Sequence, residues 1–490
     1  MVGQRVLGNN NNALGNSLQR LSTGLRINRG KDDPAGLIAS ENLRSDLSGL
    51  NAAIGNASRA DQVVNIAEGG LQEISGLLTE LQGLITTSAS TAGLSNEEKK
   101  ANQLQIDSIV QTIDRISSST SFQGFKLLNG NFDYQVEGVN GGVEGYSVNA
   151  AKLANGGSLD VEVLVTQSAQ QGQLYMSFGG GTLDMSGSGE SFTVEITGAL
   201  GSRELQFSSG TSLADIEAAI NTYSDVTGVT ASASASGLSL LSNEFGKSQF
   251  VSAKVVNDAG VTGDGIFTFT ADDANTINAG SATAFTAATN GIRDAGQNVG
   301  GTINGLVATA EGKTLRVNSD FLDVELTIDT ATSQNLASVS AFSISGGGAD
   351  FQLAGNVDIA GKVSLGIKDV NARKLGVEGT GFLSDLGSGR SLNVVDGNLA
   401  EAQKVVESAI GQISGMRGRL GAFQKNVVGA TIRSLNIAVE NTSAAESVIR
   451  DTDFATETAA LTRNQILVSA STNILSIANS QPQAVLQLLG

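Results

Sequence analysis

The side chains that could do chemistry in this chain are few in kind. It contains no Cys and no His, which excludes Cys nucleophiles, His general bases, Cys/His zinc sites and disulfides together. Carboxylate, lysine and tyrosine chemistry remain. Two carboxylate pairs stand close enough in sequence to act jointly: Asp272 with Asp273, and Asp323 with Glu325. Such pairs serve glycoside hydrolysis or hold calcium. Neither has the spacing of a recognised loop, and Asp and Glu are ordinarily solvated surface residues. No catalytic residue, metal ligand or cofactor is expected, and the chemistry to look for is that of association.

Charge and composition say where association is cheapest. Residues 141–395 carry 26 acidic and 12 basic residues, a net −14 of the chain's −18. That acidic middle argues against nucleic acid, which needs clustered Lys and Arg, and fits a solvated, mutually repelling exterior. The nearly neutral ends can approach their neighbours. With 490 residues, two or more domains are expected. With no Trp and 4% aromatic residues, burial must rest on Leu, Ile, Val and Ala spread over long surfaces. No stretch approaches the roughly eighteen apolar residues of a membrane span. The first dozen residues show no cleavable signal peptide.

Three regimes position these side chains: a helical start to residue 119, a Gly-, Ser- and Thr-rich middle patterned as strands and turns to about 395, and a helical end from 397. The fold class expected is α + β and multidomain, with N- and C-terminal helices paired as a coiled-coil bundle around an inserted β-rich region. In Asp32-Asp33-Pro34-Ala35-Gly36 an Asp N-cap precedes Pro at the first helical position. Leu43, Leu47, Leu50, Ile54, Ala57, Val64, Ala67, Leu71, Ile74, Leu78, Leu81 and Ile85 then recur in steps of three and four, with Asp61 as a polar occupant. That is a coiled-coil seam. A second helix opens on the capping box Ser95-Asn96-Glu97-Glu98 and runs through Ile106, Ile109, Ile113 and Ile116.

The C-terminal partner is expected along Val406, Ala409, Ile413, Met416, Leu420, Phe423, Val427 and Ala430, an unbroken run of threes and fours. The extreme ends are weaker. Leu7, Leu14, Leu18, Leu21 and Leu25 form one stripe, and Phe454, Leu461, Val468 and Leu475 are spaced by sevens, with Leu467 and Ile474 beside them. Alone, such helices are marginal in water, so they read as segments awaiting a partner. In the middle, Phe192–Thr197 and Leu205–Ser208 read as a hairpin, Ser212 with Asp215 as the cap of a short helix through Ile216 and Ile220, and Asp225–Val229 as a returning strand. Further strands are expected at Thr314–Val317, Val324–Ile328 and Val363–Ile367. The Ser- and Thr-rich stretch Thr230 to Ser239 reads equally as strands and turns or as glycan acceptors.

Two motifs, in order and at opposite ends, carry a resemblance. Leu21-Ser22-Thr23-Gly24-Leu25-Arg26-Ile27-Asn28, followed by Asp32-Asp33, stands near the start. Ser447-Val448-Ile449-Arg450-Asp451-Thr452-Asp453-Phe454-Ala455, then Gln465-Ile466-Leu467 and Pro482-Gln483-Ala484-Val485-Leu486-Gln487-Leu488-Leu489, stand near the end. Over roughly 1–130 and 397–490 the chain resembles bacterial flagellin, the building block of the flagellar filament. Residues 190–256, with Ser209-Gly210-Thr211-Ser212-Leu213-Ala214-Asp215-Ile216, resemble the short βαβ-type insert of many flagellins.

The resemblance implies inner-tube helices at 1–39 and 447–490, a helical core domain from 40–140 and 396–446, and a surface-exposed variable region at 141–395. It implies polymerisation through the terminal helices, with Arg26, Ile27, Asn28, Asp32 and Asp33 as motif positions. As partners it implies other copies of the subunit, an export chaperone for the C-terminal region, the filament cap and hook-associated proteins. As location it implies the extracellular flagellum, reached unfolded through an export channel that needs no cleaved signal and where a thiol would be a hazard.

Against the family pattern the chain begins late, by two or three helical turns, about 10–15 Å of helix. Its segment Leu77–Leu84 lies where many flagellins present an Arg-containing stretch to Toll-like receptor 5. Here Thr79, Glu80 and Leu84 occupy it, with Glu80 in the place of a key Arg, so weak recognition is expected. The zinc peptidase carried by some flagellins needs a His-Glu-x-x-His helix, and this chain has no His. Asp32–Gly36 also resembles the hook–filament junction protein, a relative that acts as a short adaptor, and that reading stays open as the alternative. Arg26 with Asp32, and Arg417, Arg419 and Arg433, are candidates for contacts between subunits or for solvated faces.

Overall fold

The computed structural model describes residues 2–90, 93–153, 157–185, 191–234, 236–270, 273–377 and 379–489, with the side chains of 273–275 and 481–489 outside the description. The pair Asp272-Asp273 therefore lies outside the described side chains. The main helices are α1 (Val2–Thr23), α2 (Pro34–Ser88) and α3 (Asn96–Ser119), followed in the β-rich region by the short α4 (Leu213–Thr222), α5 (Ser224–Thr227) and α6 (Thr330–Gln334). Then come α7 (Leu399–Ala422), α8 (Gly429–Arg450) and α9 (Phe454–Leu489). The chain divides into two compact units. One holds Met1–Gly69, Asp350–Val363 and Arg417–Gly490; the other holds Gly70–Ala349 and Ser364–Met416.

Local chemistry starts the helices where it should. Asp33 Oδ1 accepts the Gly36 N–H at 2.9 Å, which satisfies an orphan donor at the start of α2. Ser95 Oγ accepts the Glu98 N–H, and Glu98 Oε2 accepts the Ser95 N–H at 2.7 Å, the reciprocal box that opens α3. Within the first unit α2 buries Ala53, Ala57, Ala60, Val64 and Ala67. The seam thus runs through Ala53 and Ala60, one residue before the expected Ile54 and Asp61, which are both half-buried. Two successive steps of three, Leu50 to Ala53 after Leu47 to Leu50, produce the offset. Asp61 is free to accept a hydrogen bond from Gln424 at 2.9 Å, and Arg417 pairs with Glu68 at 2.8 Å. Gly49 of α2 lies under the 350–363 segment, where a Cβ would stand 2.8 Å from the Gly355 carbonyl oxygen.

The expected C-terminal seam holds as far as Phe423 and then slips. Ile413, Met416, Leu420 and Phe423 are buried, but Val428 is fully buried in place of Val427, which is half-buried, and Ala430 is exposed. The reason is a π-turn over Phe423–Val428 joining α7 to α8. It inserts one residue and rotates everything beyond it.

In the second unit the buried faces are Leu71, Ile74, Leu78, Leu81 and Ile85 of α2, Ile106, Ile109 and Ile113 of α3, and Val405, Val406, Ala409 and Ile413 of α7. Gln103 of α3 is buried but fully occupied: its amide donates to the Leu386 carbonyl at 2.8 Å, and its oxygen accepts the Val394 N–H at 2.8 Å. The β region makes two cores, each between a five-stranded and a four-stranded antiparallel sheet. The first is enclosed by strands 273–277, 265–270, 173–177, 237–242 and 229–233 on one side and 292–295, 250–257, 191–198 and 202–208 on the other. The second lies between 306–307, 300–303, 159–167, 338–347 and 134–137, and 309–311, 314–318, 322–328 and 143–151. Period-two burial, as in Leu322–Ile328, is what a sheet with one solvated face requires.

Two expectations for the middle are corrected. Ser224–Thr227 is a helical turn and the strand begins only at Val229, because Gly228 at φ +76° ends the turn in the left-handed region. The second concerns the insert: strand, helix and strand follow in the expected order, but the two strands lie in different sheets. Its hairpin pairs antiparallel, and the strand after α4 joins the opposite sheet. The Val363–Ile367 strand is Lys362–Leu365. Ser191–Gly198, Thr314–Asn318 and Leu322–Ile328 stand where expected, and Ser212 caps α4 through the Asp215 N–H.

Candidate functional site

The motif residues of the two termini meet in one place, a clamp between two linkers. Leu25 and Asp451 form an antiparallel bridge. The Arg26 N–H donates to the Arg450 carbonyl at 2.7 Å, and the Thr452 N–H to the Gly24 carbonyl at 2.9 Å. Arg26 Nη2 donates to the Ile449 carbonyl at 2.6 Å. Asp32 Oδ2 accepts the N–H groups of Asn28 and Arg29, and Asn28 Nδ2 donates to the Leu25 carbonyl. Ile27 is buried beneath them, so close to Gly36 that a Cβ there would stand 2.7 Å from its Cδ1. That contact explains the glycine in Asp-Asp-Pro-Ala-Gly. Arg26 and Asp32 are therefore engaged within the chain. Beside the clamp, Glu41 of α2 accepts from Arg44 at 3.1 Å and from Arg450 at 2.9 Å, while Arg44 reaches Glu446 at 3.8 Å. Sequence reading missed this network, because its members stand some 400 residues apart.

Two carboxyls of the clamp are held below the ordinary carboxylate range. Asp32 is lowered chiefly by the Arg29 N–H, and Asp453 chiefly by the Thr456 hydroxyl. An acid with a depressed folded-state pKa adds stability that is complete above its unfolded value, 3.8, and is lost as pH falls through the folded one. The amides bonded to them, Asn28, Arg29, Ala455 and Thr456, should keep their hydrogen-exchange protection from neutral pH down to about 4 and lose it below. Equal protection at about pH 5 and about pH 2.5, after correction for intrinsic rates, would contradict this.

Beyond the clamp, α1 and α9 pack antiparallel as a hairpin. Seam positions recur in fours and threes on both: Gly3, Leu7, Asn10, Leu14, Ser17 and Leu21 on α1, and Glu457, Leu461, Asn464, Val468, Ser471 and Leu475 on α9, all buried or half-buried. Every second layer is polar. Asn10 Nδ2 donates to Ser471 Oγ at 2.8 Å, Asn464 Nδ2 to Ser17 Oγ at 3.2 Å, and Arg20 pairs with Glu457 at 3.5 Å. Outside that seam α9 leaves Ile466, Ile474 and Ile477 63%, 63% and 61% exposed, Ile466 and Ile477 on the far side of the helix and Ile474 on its flank. Val2, Val6 and Leu18 flank the seam on α1, also exposed. The seam thus alternates apolar and polar layers while large apolar side chains stand bare outside it, and exposed apolar side chains of that kind are built to be covered.

Leu14, Leu21, Leu461, Val468 and Leu475 thus face the intramolecular seam, whereas Leu18 and Phe454 stand exposed outside it. Leu43, Leu47 and Leu50 are half-buried on α2. Arg417 is spent on Glu68, and Arg433 is exposed. Asp323 and Glu325 lie on the solvated face of one strand with Arg316 reaching both, at 3.5 and 3.9 Å. Among the described residues no three Asp or Glu side chains gather as a metal site.

Comparison with known proteins decides what such a molecule is. Residues 1–133 match the bacterial flagellin N-terminal helical region, residues 403–489 the bacterial flagellin C-terminal helical region, and residues 182–254 the flagellin hook IN motif. The B-type flagellin of Pseudomonas aeruginosa is 31% identical over 99% of this chain and 97% of its own. The chain belongs to the bacterial flagellin family. A flagellin of Salmonella rubislaw is 29% identical over 100% of this chain and 98% of its own. Among solved structures, FliC from Burkholderia pseudomallei is similar at 16% identity, covering 75% of this chain and 99% of that one with a TM-score of 0.24. As a flagellin the chain is a structural subunit of the flagellar filament, the organelle of motility. The junction-protein alternative gains no support from relatives that match along the whole chain.

Proposed function

We propose that this flagellin polymerises through the outward apolar faces of α1 and α9, covered in the filament by the same helices of neighbouring copies. The observation that carries this reading is the exposure of Ile466, Ile474 and Ile477 outside a seam whose apolar layers are diluted by polar rungs. Burying three such isoleucines contributes roughly 1.5–3 kcal/mol each, enough to drive association that the hairpin's own seam does not supply. Residues 1–39 and 447–490 then form the inner tube, residues 40–140 and 396–446 the helical core, and 141–395 the solvent-facing acidic region. The linker clamp, with Arg26, Ile27, Asn28, Asp32 and Asp33, sets how the hairpin leaves the core. Purified monomer added to filament seeds should elongate into long filaments under negative stain. Elongation that stops after a few subunits would favour the adaptor reading.

Catalysis has no place in this function. The subunit is exported to the cell exterior, held beforehand by a chaperone on its C-terminal region, and added beside hook-associated proteins and the cap. Thr79 and Glu80 are exposed on α2, with Leu84 half-buried. With an acidic side chain at that position, purified monomer should stimulate a Toll-like receptor 5 reporter weakly, and Glu80→Arg should raise the response. Full stimulation by the unaltered monomer would refute this.

A further inference from the structure

The π-turn between α7 and α8 interrupts a helix that is otherwise continuous: Ala422 before it and Gly429 after it both have helical backbone, at φ −64°. A π-turn stores one residue more than an α-turn over the same span. Its effect on the seam is specific. Phe423 is followed at the next buried position by Val428, five residues on, where an α-turn would present Val427. The two candidates are the same side chain. Beyond them, the π-register buries Leu435 and leaves Ile437 59% exposed. An all-α register would instead continue the run of threes and fours through Val427 and Ala430, and then present Ser434 and Ile437 in place of Leu435.

We infer that Phe423–Gly429 is a register switch: the same helix has a second, all-α state in which Val427 replaces Val428 in the seam. The exchange rotates α8 by about 100° and advances it by about 1.5 Å relative to the residues before the turn. What distinguishes the states lies downstream of the turn. Upstream, Arg417–Glu68 and the hydrogen bonds from Gln424 to Asp61 and Asn65, both 2.9 Å, sit at or before the turn and survive in either register. Downstream, Glu446–Arg44, Arg450–Glu41 and the Ile449 carbonyl that receives Arg26 are made only in the π-register. Glu41, which takes both Arg44 and Arg450, is the latch. A ligand or contact that favours one set of these interactions shifts the population by its differential affinity. Two packings of one sequence differing by a single helical step are a known form of bistable element.

The absence of Cys makes this testable without background. The pairs Glu68·Arg417 and Asp61·Gln424 show α2 and this helix running antiparallel, which sets Ala57 opposite position 428. In full-length monomer, Ala57→Cys with Val428→Cys should close rapidly under diamide. Ala57→Cys with Val427→Cys should close more slowly but to completion, and Glu41→Gln should accelerate that second closure at least fivefold. A 57–427 pair that stays open, or closes at a rate indifferent to Glu41→Gln, overturns the switch. A second measurement guards against unfolded variants. Deleting Asn426 removes the stored residue and should leave a folded chain with an unchanged far-UV spectrum and cooperative melting. Deleting Asn436, in the regular part of α8, should damage both, and equal damage from the two deletions also overturns the proposal.

Discussion

Monomer carrying Ile474→Asp should remain folded and fail to elongate filaments at concentrations where the parent chain elongates fully. Ile474 is 63% exposed on the flank of α9, outside the seam with α1, so in the monomer the carboxylate meets water and costs little. In the filament it would be enclosed among apolar side chains, and an uncompensated buried charge costs about 3–5 kcal/mol. At about 1.4 kcal/mol per tenfold change in affinity, the critical concentration should rise by about a thousandfold. Val468→Asp is the contrasting case. Val468 is half-buried in the seam against α1, so a carboxylate there should unzip the hairpin itself and lower the helical signal of the monomer before any assembly. Both variants should stop elongation, but only Val468→Asp should change the monomer. Normal filaments from Ile474→Asp would remove the outer face from the account.

Phe192→Ala should have the largest effect on stability while sparing assembly. Phe192 is fully buried in the first sandwich, edge-on to Phe178 at 5.9 Å and to Phe285 at 5.6 Å. Removing a buried phenyl ring costs about 3–5 kcal/mol, because the surrounding side chains collapse only partly into the space. A single domain is stable by only about 5–15 kcal/mol, so the sandwich should melt about 10 °C or more earlier. The loss should appear in the strand signal of a calorimetric or spectroscopic melt, with the helical transition in place. Seeded elongation at a temperature below that melt should continue, since the assembly faces lie on α1 and α9. Simultaneous loss of the helical transition would show that the sandwich and the helices unfold as one cooperative unit.

What could be read from the sequence was chiefly local. Asp33 before Pro34, Ser95 with Glu98, and Ser212 with Asp215 each cap a helix by groups three residues apart, and each stands in the structure as the spacing requires. Strands with one solvated face were legible for the same reason, because period-two alternation is written into consecutive residues. The assembly hairpin was legible only in part. A search for apolar periodicity passes over Asn10, Ser17, Asn464, Ser471 and Glu457, five of the twelve seam positions, and it selects Leu18 and Phe454, which stand outside it. The seven-residue spacing of Leu461, Val468 and Leu475 was real, but it marked the face toward α1. The π-turn could not be read at all, since Val427 and Val428 satisfy either register and only packing selects between them. The Gly228 turn was missed because Asp-Val-Thr-Gly-Val carries strand-forming residues on both sides of the glycine that ends the helix. The clamp depends on partners more than 400 residues apart, so the motif residues were visible but their bonds were not.

The central claim is that the apolar outer face of the α1–α9 hairpin is what neighbouring copies cover. Hydroxyl-radical footprinting of monomer and filament, read at single side chains by mass spectrometry, measures that directly. Ile466, Ile474 and Ile477 should be labelled readily in the monomer and protected at least tenfold in the filament, while Val307, which is 85% exposed in the β region, should be labelled equally in both. Isoleucines that remain as reactive in the filament as in the monomer would contradict the account.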